Sequence, residues 1–158
     1  MEIALIAPEI PGNTGSIGRV CVGTASRLHL VRPLGFDIDD RAVRRAGLDY
    51  WAQIDLQVHD DLAAFLAQVE GRRLHWFSVH GVTRYDRVSY GADDILVFGC
   101  ETRGLPATVR QAFADQLVHL PVLPTIRSLN LANAVTAILY EGLRQQDFAQ
   151  FPGQPDQK

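Results

Sequence analysis

Short apolar runs alternate with stretches of helical spacing along most of the chain. The runs over 2–7, 28–31, 74–79, 95–99 and 117–120 are four to six residues long and nearly continuous in apolar side chains. That is the pattern of strands covered on both faces. Between them, 13–25 opens with Asn13, a capping-type residue, and 60–69 opens with Asp60 and sets Leu62, Phe65, Leu66 and Val69 on one stripe. The segment 106–113 has Pro106 at a first-turn position, and 131–144 puts Leu131, Val135, Ile138, Leu139 and Leu143 on one face. The alternation predicts an α/β fold, a mainly parallel sheet with helices on both faces. No repeat or linker interrupts 1–146, which reads as a single domain followed by a polar, turn-rich tail over 147–158 that is expected to be flexible.

Composition narrows the class. A chain of 158 residues can bury a core without staples. No apolar run approaches the roughly 18–20 residues of a membrane helix. The short acidic start, Met1-Glu2-Ile3, reads as a strand and not as a signal peptide, so a soluble, cytoplasmic protein is expected. Cys21 and Cys100 form no CxxC pair, which leaves zinc and dithiol chemistry unsupported and predicts two reduced thiols. No His/Asp/Glu ligand cluster suggests a metal.

The net charge of −3 argues against indiscriminate polyanion binding, but the cations are unevenly placed. Lysine occurs once, at Lys158, and every other cation is arginine, whose planar fork suits phosphate. From Arg19 to Arg45 the arginines 19, 27, 32, 41, 44 and 45 face only Asp37, Asp39 and Asp40, a local +3 against −6 for the remainder. An anionic partner on one face would explain this, and so would a solvated helix face.

In parallel sheets, ligands bind beyond the carboxyl ends of strands, and three such ends carry unusual residues. Pro8-Glu9-Ile10-Pro11-Gly12-Asn13-Thr14-Gly15-Ser16-Ile17-Gly18-Arg19 follows the first strand and opens a helix. Its glycines have neither the GxGxxG nor the phosphate-loop spacing, so dinucleotide binding is disfavoured. Asn13 either caps the helix or works with Arg19. Phe98-Gly99-Cys100-Glu101-Thr102-Arg103-Gly104-Leu105-Pro106 leaves an apolar strand for a turn with an acid and a base, at minimum a connecting loop with an exposed ion pair. Leu120 to Asn133 is an apolar loop with Pro121 and Pro124, then Ser128, Asn130 and Asn133 at the mouth of the last helix, where Ser128 or Asn130 is a candidate N-cap. Apolar loop residues beside convergent polar groups describe a small-molecule pocket.

In this order and spacing the three segments, NTGSIGR, FGCETRGLP and LPTIRSLNLANAVTAILYE, resemble the motifs of the SPOUT superfamily of RNA methyltransferases. The PEIPGNTG opening and Arg44-Arg45-Ala46-Gly47-Leu48-Asp49-Tyr50 look like the subgroup that methylates the ribose 2'-hydroxyl of the wobble nucleotide, position 34, cytidine or modified uridine, of leucine tRNAs. The resemblance covers about 1–145. It implies a C-terminal deep trefoil knot and S-adenosylmethionine as methyl donor, with no metal. It implies cofactor contacts at Phe77, Gly99, Glu101, Gly104, Leu120 and Ser128. A homodimer is implied in which Arg19 approaches the partner's donor. The catalytic set it implies is Arg19, Asn13, Glu101, Ser128 and Asn130. The RNA surface would include Arg19, Arg41, Arg44 and Arg45.

A guanidinium, with a pKa above about 12, is a poor base. Arg19 is therefore expected to stabilise developing alkoxide charge, with Asn13 orienting it. Of His29, His59, His75, His80 and His119, only His119 borders a motif. Tyr50 and Trp51 suit either base stacking or packing. Three alternatives stay open: the same enzyme class on another tRNA position or rRNA, a non-catalytic RNA-binding module, and a flavodoxin-like nucleotide-binding domain.

Overall fold

The computed structural model describes residues 1–38 and 50–151. Arg41, Arg44 and Arg45 lie outside the described residues, as does the tail from 152 onward. The elements follow the chain as β1 (Glu2–Ile6), α1 (Pro11–Gly23), β2 (Arg27–Val31), β3 (Leu56–His59), α2 (Leu62–Gln68), β4 (Leu74–Phe77), β5 (Thr83–Arg84), β6 (Ile95–Phe98), α3 (Ala107–Ala112), β7 (Leu117–His119) and α4 (Leu131–Gln145). The strands form one seven-stranded sheet in the order β3-β2-β1-β6-β4-β7-β5. Every ladder in it is parallel.

Because side chains alternate across a strand, each central strand feeds two cores. Ile3 and Leu5 of β1, Leu28 and Leu30 of β2, and Leu96 and Phe98 of β6 meet Ile17 and Cys21 of α1 and Val135, Ile138, Leu139 and Leu143 of α4. Ala4, Ile6, Ile95, Val97 and Trp76 turn the other way, against Phe65 of α2 and Val109 of α3. Helices therefore cover both faces, as the alternation requires. The α4 stripe stands where the 3.6-residue period put it. Four of its five apolar residues, Val135, Ile138, Leu139 and Leu143, are at most 2% exposed, and Leu131 at the helix start is half-buried; burying the four is a gross gain of about 6–12 kcal/mol.

Two strands escaped the sequence pattern. Leu56-Gln57-Val58-His59 has only two apolar positions, and His59 is buried because it pairs with His29. β5 has two residues and exists only through its ladder with Val118 and His119. The first helix also begins earlier than expected. Pro11 is at its start, Ile10 is the N-cap without a side-chain bond, and Asn13 lies inside the first turn. Asn13 is thus not a cap, and its amide makes tertiary bonds instead. After α4 the chain turns, and Phe151 packs against the core that α4 covers. Among the described residues, no helix is long and apolar enough to cross a membrane.

Candidate functional site

The strand order reverses direction between β1 and β6. β1 leads into α1 on one face and β6 into α3 on the other, which opens a crevice at the carboxyl ends. A cavity of about 520 Å³ occupies this end and is lined from the segments after β1, β4, β6 and β7. Ligand pockets typically span roughly 300–1,000 Å³. Eight of the nine described site residues expected from sequence line it: Asn13, Phe77, Gly99, Glu101, Gly104, Leu120, Ser128 and Asn130. Arg19 is not among them. It stands exposed on α1, with its guanidinium 4.7 Å from the centre of the Tyr50 ring.

One polar relay joins the first, second and third motifs. The Glu101 carboxylate accepts from the backbone N–H of Glu9 at 2.8 Å and of Ile10 at 3.2 Å, and from Asn13 Nδ2 at 3.0 Å. Asn13 Oδ1 accepts from Asn130 Nδ2 at 2.8 Å. Asn130 Oδ1 caps α4, accepting from Ala132 N at 3.0 Å and Asn133 N at 3.3 Å. Asn130 therefore caps the last helix and anchors the first with the same amide. A second carboxylate returns the contact. Glu9 Oε2 accepts from Thr102 Oγ1 at 2.7 Å and Thr102 N at 3.2 Å. These bonds to Thr102 hold the Glu9 carboxyl below its ordinary range.

The loop after β6 is tight for a steric reason. Cys100 and Gly104 exchange backbone bonds at 3.2 and 2.9 Å, and Gly104 has φ +68°. A side chain on Gly99 would place its Cβ 1.9 Å from the Gly104 carbonyl carbon. Only glycine lets the loop fold back there and leave backbone groups facing the cavity.

The structure adds lining residues that pattern reading passed over: Ser78, Val79 and His80 after β4, Arg110 on α3, and Arg127 before α4. Strand-end position was the available signal for the first three. The other four histidines, His29, His59, His75 and His119, do not line the cavity. His29 bonds His59 at 2.9 Å and Glu2 at 2.7 Å. His75 bonds Asp94 at 2.6 Å. Burial, the largest cause in each case, lowers the pKa of His29, His59 and His75. Trp51 is half-buried beside Gly18 of α1. Both cysteines are free and buried, and burial pushes the Cys21 thiol up to about 12. No cluster of three or more His, Cys, Asp or Glu side chains that could hold a metal ion occurs among the described residues.

Fold and cavity define a parallel α/β protein with an open cavity where its strand order reverses. The profile of the SpoU rRNA Methylase family matches residues 1–140, and the chain belongs to that family. It is 46% identical over 149 residues to the tRNA (cytidine(34)-2'-O)-methyltransferase of Methylovorus glucosotrophus, covering 94% of this chain and 97% of that one. With the enzyme of the same name from Escherichia coli K12 it shares 45% identity over 146 residues, 92% and 93% of the two chains. A solved structure concerned with 2-OH methylation of C/U34 on tRNA superposes with a TM-score of 0.89 at 40% identity, over 93% of this chain and 96% of that one. The SpoU methyltransferase AviRb of Streptomyces viridochromogenes, solved with AdoMet, gives 0.82 at 26% identity over 94% of this chain and 61% of its own.

Proposed function

We propose that this protein transfers a methyl group from S-adenosylmethionine to the ribose 2'-hydroxyl of nucleotide 34 of tRNA. The observation that carries the reading is the relay Glu101–Asn13–Asn130 on one cavity, in a chain collinear with enzymes named for that reaction.

The residues fit the donor. The Gly99 backbone, where no Cβ fits, offers a close approach, and Phe77, Leu120 and Leu129 supply apolar walls. Phe77, Gly99, Glu101, Gly104, Leu120 and Ser128 would hold it. When bound, S-adenosylmethionine supplies an electrophilic methyl on a sulfonium, open to in-line displacement by a ribose oxygen. This chain's part is orientation, which can contribute about 7–11 kcal/mol. Glu101 fixes the entry to α1 and the loop after β6 in one register, and Asn130 fixes the start of α4 against both.

Arg19 lies off its own chain's cavity, which supports a homodimer in which it serves the partner's site. Exposed Leu123 (75%) and Ile126 (50%), in the loop that leads to Ser128, give such a partner an apolar face. In that role Arg19 hydrogen-bonds the 2'-oxygen or the neighbouring phosphate and stabilises alkoxide charge. Arg41, Arg44 and Arg45 belong to the same RNA surface. The reading also includes a single domain over 1–146 and a trefoil knot in its C-terminal part, supported by β4 standing between β6 and β7. Leucine isoacceptors are the substrates it names.

The test is incubation of the protein with labelled donor and purified leucine tRNAs, followed by nucleoside analysis. Label in the 2'-O-methyl group of nucleotide 34 is expected. Label at another position moves the substrate, and absence of both label and donor binding overturns the enzyme reading.

A further inference from the structure

We propose that Arg127 and Arg103, on the cavity that holds Glu101, form a phosphate site for the RNA backbone next to the target ribose; this rests on the ribose-methylation reading above. The ground is a contrast among the arginines. Arg27, Arg72, Arg84 and Arg144 are each bound to a carboxylate at 2.9, 2.8, 2.5 and 2.8 Å. The arginines lining the cavity are different. Arg127 is exposed and has no side-chain hydrogen bond or ion pair among the described residues. Arg103 is 86% exposed and has only a 3.9 Å approach to Glu9. Arg110 lines the same cavity, and its enclosed Nε has no partner among the described residues. Three arginines thus line a cavity with one lining carboxylate, Glu101, whose oxygens already accept three bonds. In a chain of net charge −3 these three cations line one opening without a close carboxylate partner among the described residues, while Arg19, Arg32 and Arg87 are exposed away from it.

The chemistry of the substrate says what they meet. A ribose 2'-hydroxyl and the 3'-phosphate sit on adjacent carbons, so a protein that presents the hydroxyl to a donor in the cavity brings that phosphate to its mouth. Beside Glu101 the phosphate is repelled unless cations neutralise it. A guanidinium fork matches two phosphate oxygens at once. Arg127 immediately precedes Ser128, and Arg103 immediately precedes Gly104. The two arginines therefore extend from the loops that form the cavity and are placed by the same relay.

The test uses the whole protein, its R127Q and R103Q variants, and an anticodon stem-loop RNA in two versions. One is natural, and the other has a single neutral methylphosphonate 3' to nucleotide 34. R127Q is expected to lose about tenfold in kcat/KM on natural RNA. Wild type should lose a similar factor on the methylphosphonate RNA, and R127Q should lose nothing further there. R103Q should behave in the same direction, and the salt dependence of RNA binding should flatten by about 0.7 per contact removed. Affinity for S-adenosylmethionine, read by calorimetry, stays at the wild-type value. A fall in that affinity reassigns the arginines to the donor's carboxylate and overturns the proposal. Equal sensitivity of wild type and R127Q to the methylphosphonate overturns it too. If R127Q does not fold, wild type on the two RNAs decides alone, since an unchanged rate refutes a phosphate contact. Wild type that binds the donor but methylates neither RNA refutes the wobble-ribose reading itself.

Discussion

Glu101→Gln removes one charge and reverses one hydrogen-bonding group, and the relay leaves it little room to adapt. Asn130 Oδ1 is committed to the Ala132 and Asn133 N–H groups, so its Nδ2 must point at Asn13. Asn13 Oδ1 is thereby used, and its Nδ2 must donate to residue 101. The relay has one direction, and a carboxylate, which only accepts, is the group that can end it. A glutamine amide puts NH2 where one oxygen stands. At Oε2 it confronts the Glu9 N–H; at Oε1 it confronts Ile10 N–H and Asn13 Nδ2. The better orientation loses one charge-assisted bond and weakens two others. A bond to a charged group contributes about 1.5–3 kcal/mol, and an orphaned buried donor costs about 1–3 kcal/mol. Glu9 and Ile10 are partly open to water, which replaces some of the loss and brings the expected cost to about 2 kcal/mol. That equals about a thirtyfold change in an equilibrium constant. Urea unfolding should show a lower midpoint at unchanged m-value, and calorimetry should show weaker S-adenosylmethionine binding because the loop after β6 has lost its tie. Asn13→Asp makes the complementary test. It sets two carboxylates in contact at neutral pH, and acid should restore binding as one takes up a proton. An E101Q protein with wild-type midpoint and wild-type donor affinity would refute the directional relay.

Gly99→Ala should cost about a hundredfold in donor affinity, since a Cβ 1.9 Å from the Gly104 carbonyl carbon forces the backbone of that loop to move; unchanged calorimetry would show the close approach to be dispensable. The three buried histidines fix the sign of an acid transition. Burial lowers their folded-state pKa below the ordinary 6.5, so the unfolded chain binds more protons. Stability is then fully present above about pH 6.5 and falls as pH drops through the folded values. Urea midpoints should decline from pH 7.5 to 5, with a shallower decline in His29→Asn, and a flat wild-type profile would contradict this. Co-expressing Arg19→Ala with Gly99→Ala should restore about a quarter of wild-type activity, because each mixed dimer rebuilds one site; no restoration means that Arg19 acts within its own chain or not at all.

The sheet and the three site loops were legible in the sequence because both are written locally. Buried parallel strands such as Ile3-Ala4-Leu5-Ile6 are continuous apolar runs. The chain changes character sharply where Phe98 gives way to Gly99 and Leu120 to Pro121. What pattern reading missed depends on partners distant in sequence. β3 has the composition of a surface segment until His59 meets His29 across the ladder. Asn13 has the form of a helix cap, and only Glu101 and Asn130, 88 and 117 residues away, draw its amide into the relay. Pro11, already at the helix start, was the local sign that the cap lay further back. Arg110 shows no functional sign on a six-residue helix and becomes notable only because its Nε has no acceptor.

Net charge, the least local property of all, argues only against indiscriminate polyanion binding, and the pairing of individual arginines says more about a local patch. An arginine attracts phosphate only if no carboxylate already holds it. Arg27, Arg72, Arg84 and Arg144 are so held, and they count in the sum without contributing to the field over the site. Arg19 is turned onto an aromatic ring that leaves its charge uncancelled, and the cavity arginines have no close acid partner. The partners of Arg27, Arg72, Arg84 and Arg144 are Asp55, Glu2, Asp86 and Glu141, which brace the fold away from the cavity. An acidic protein and a cationic cavity mouth are compatible for that reason, and the pairing pattern, not the total, is the quantity that predicts where RNA would dock.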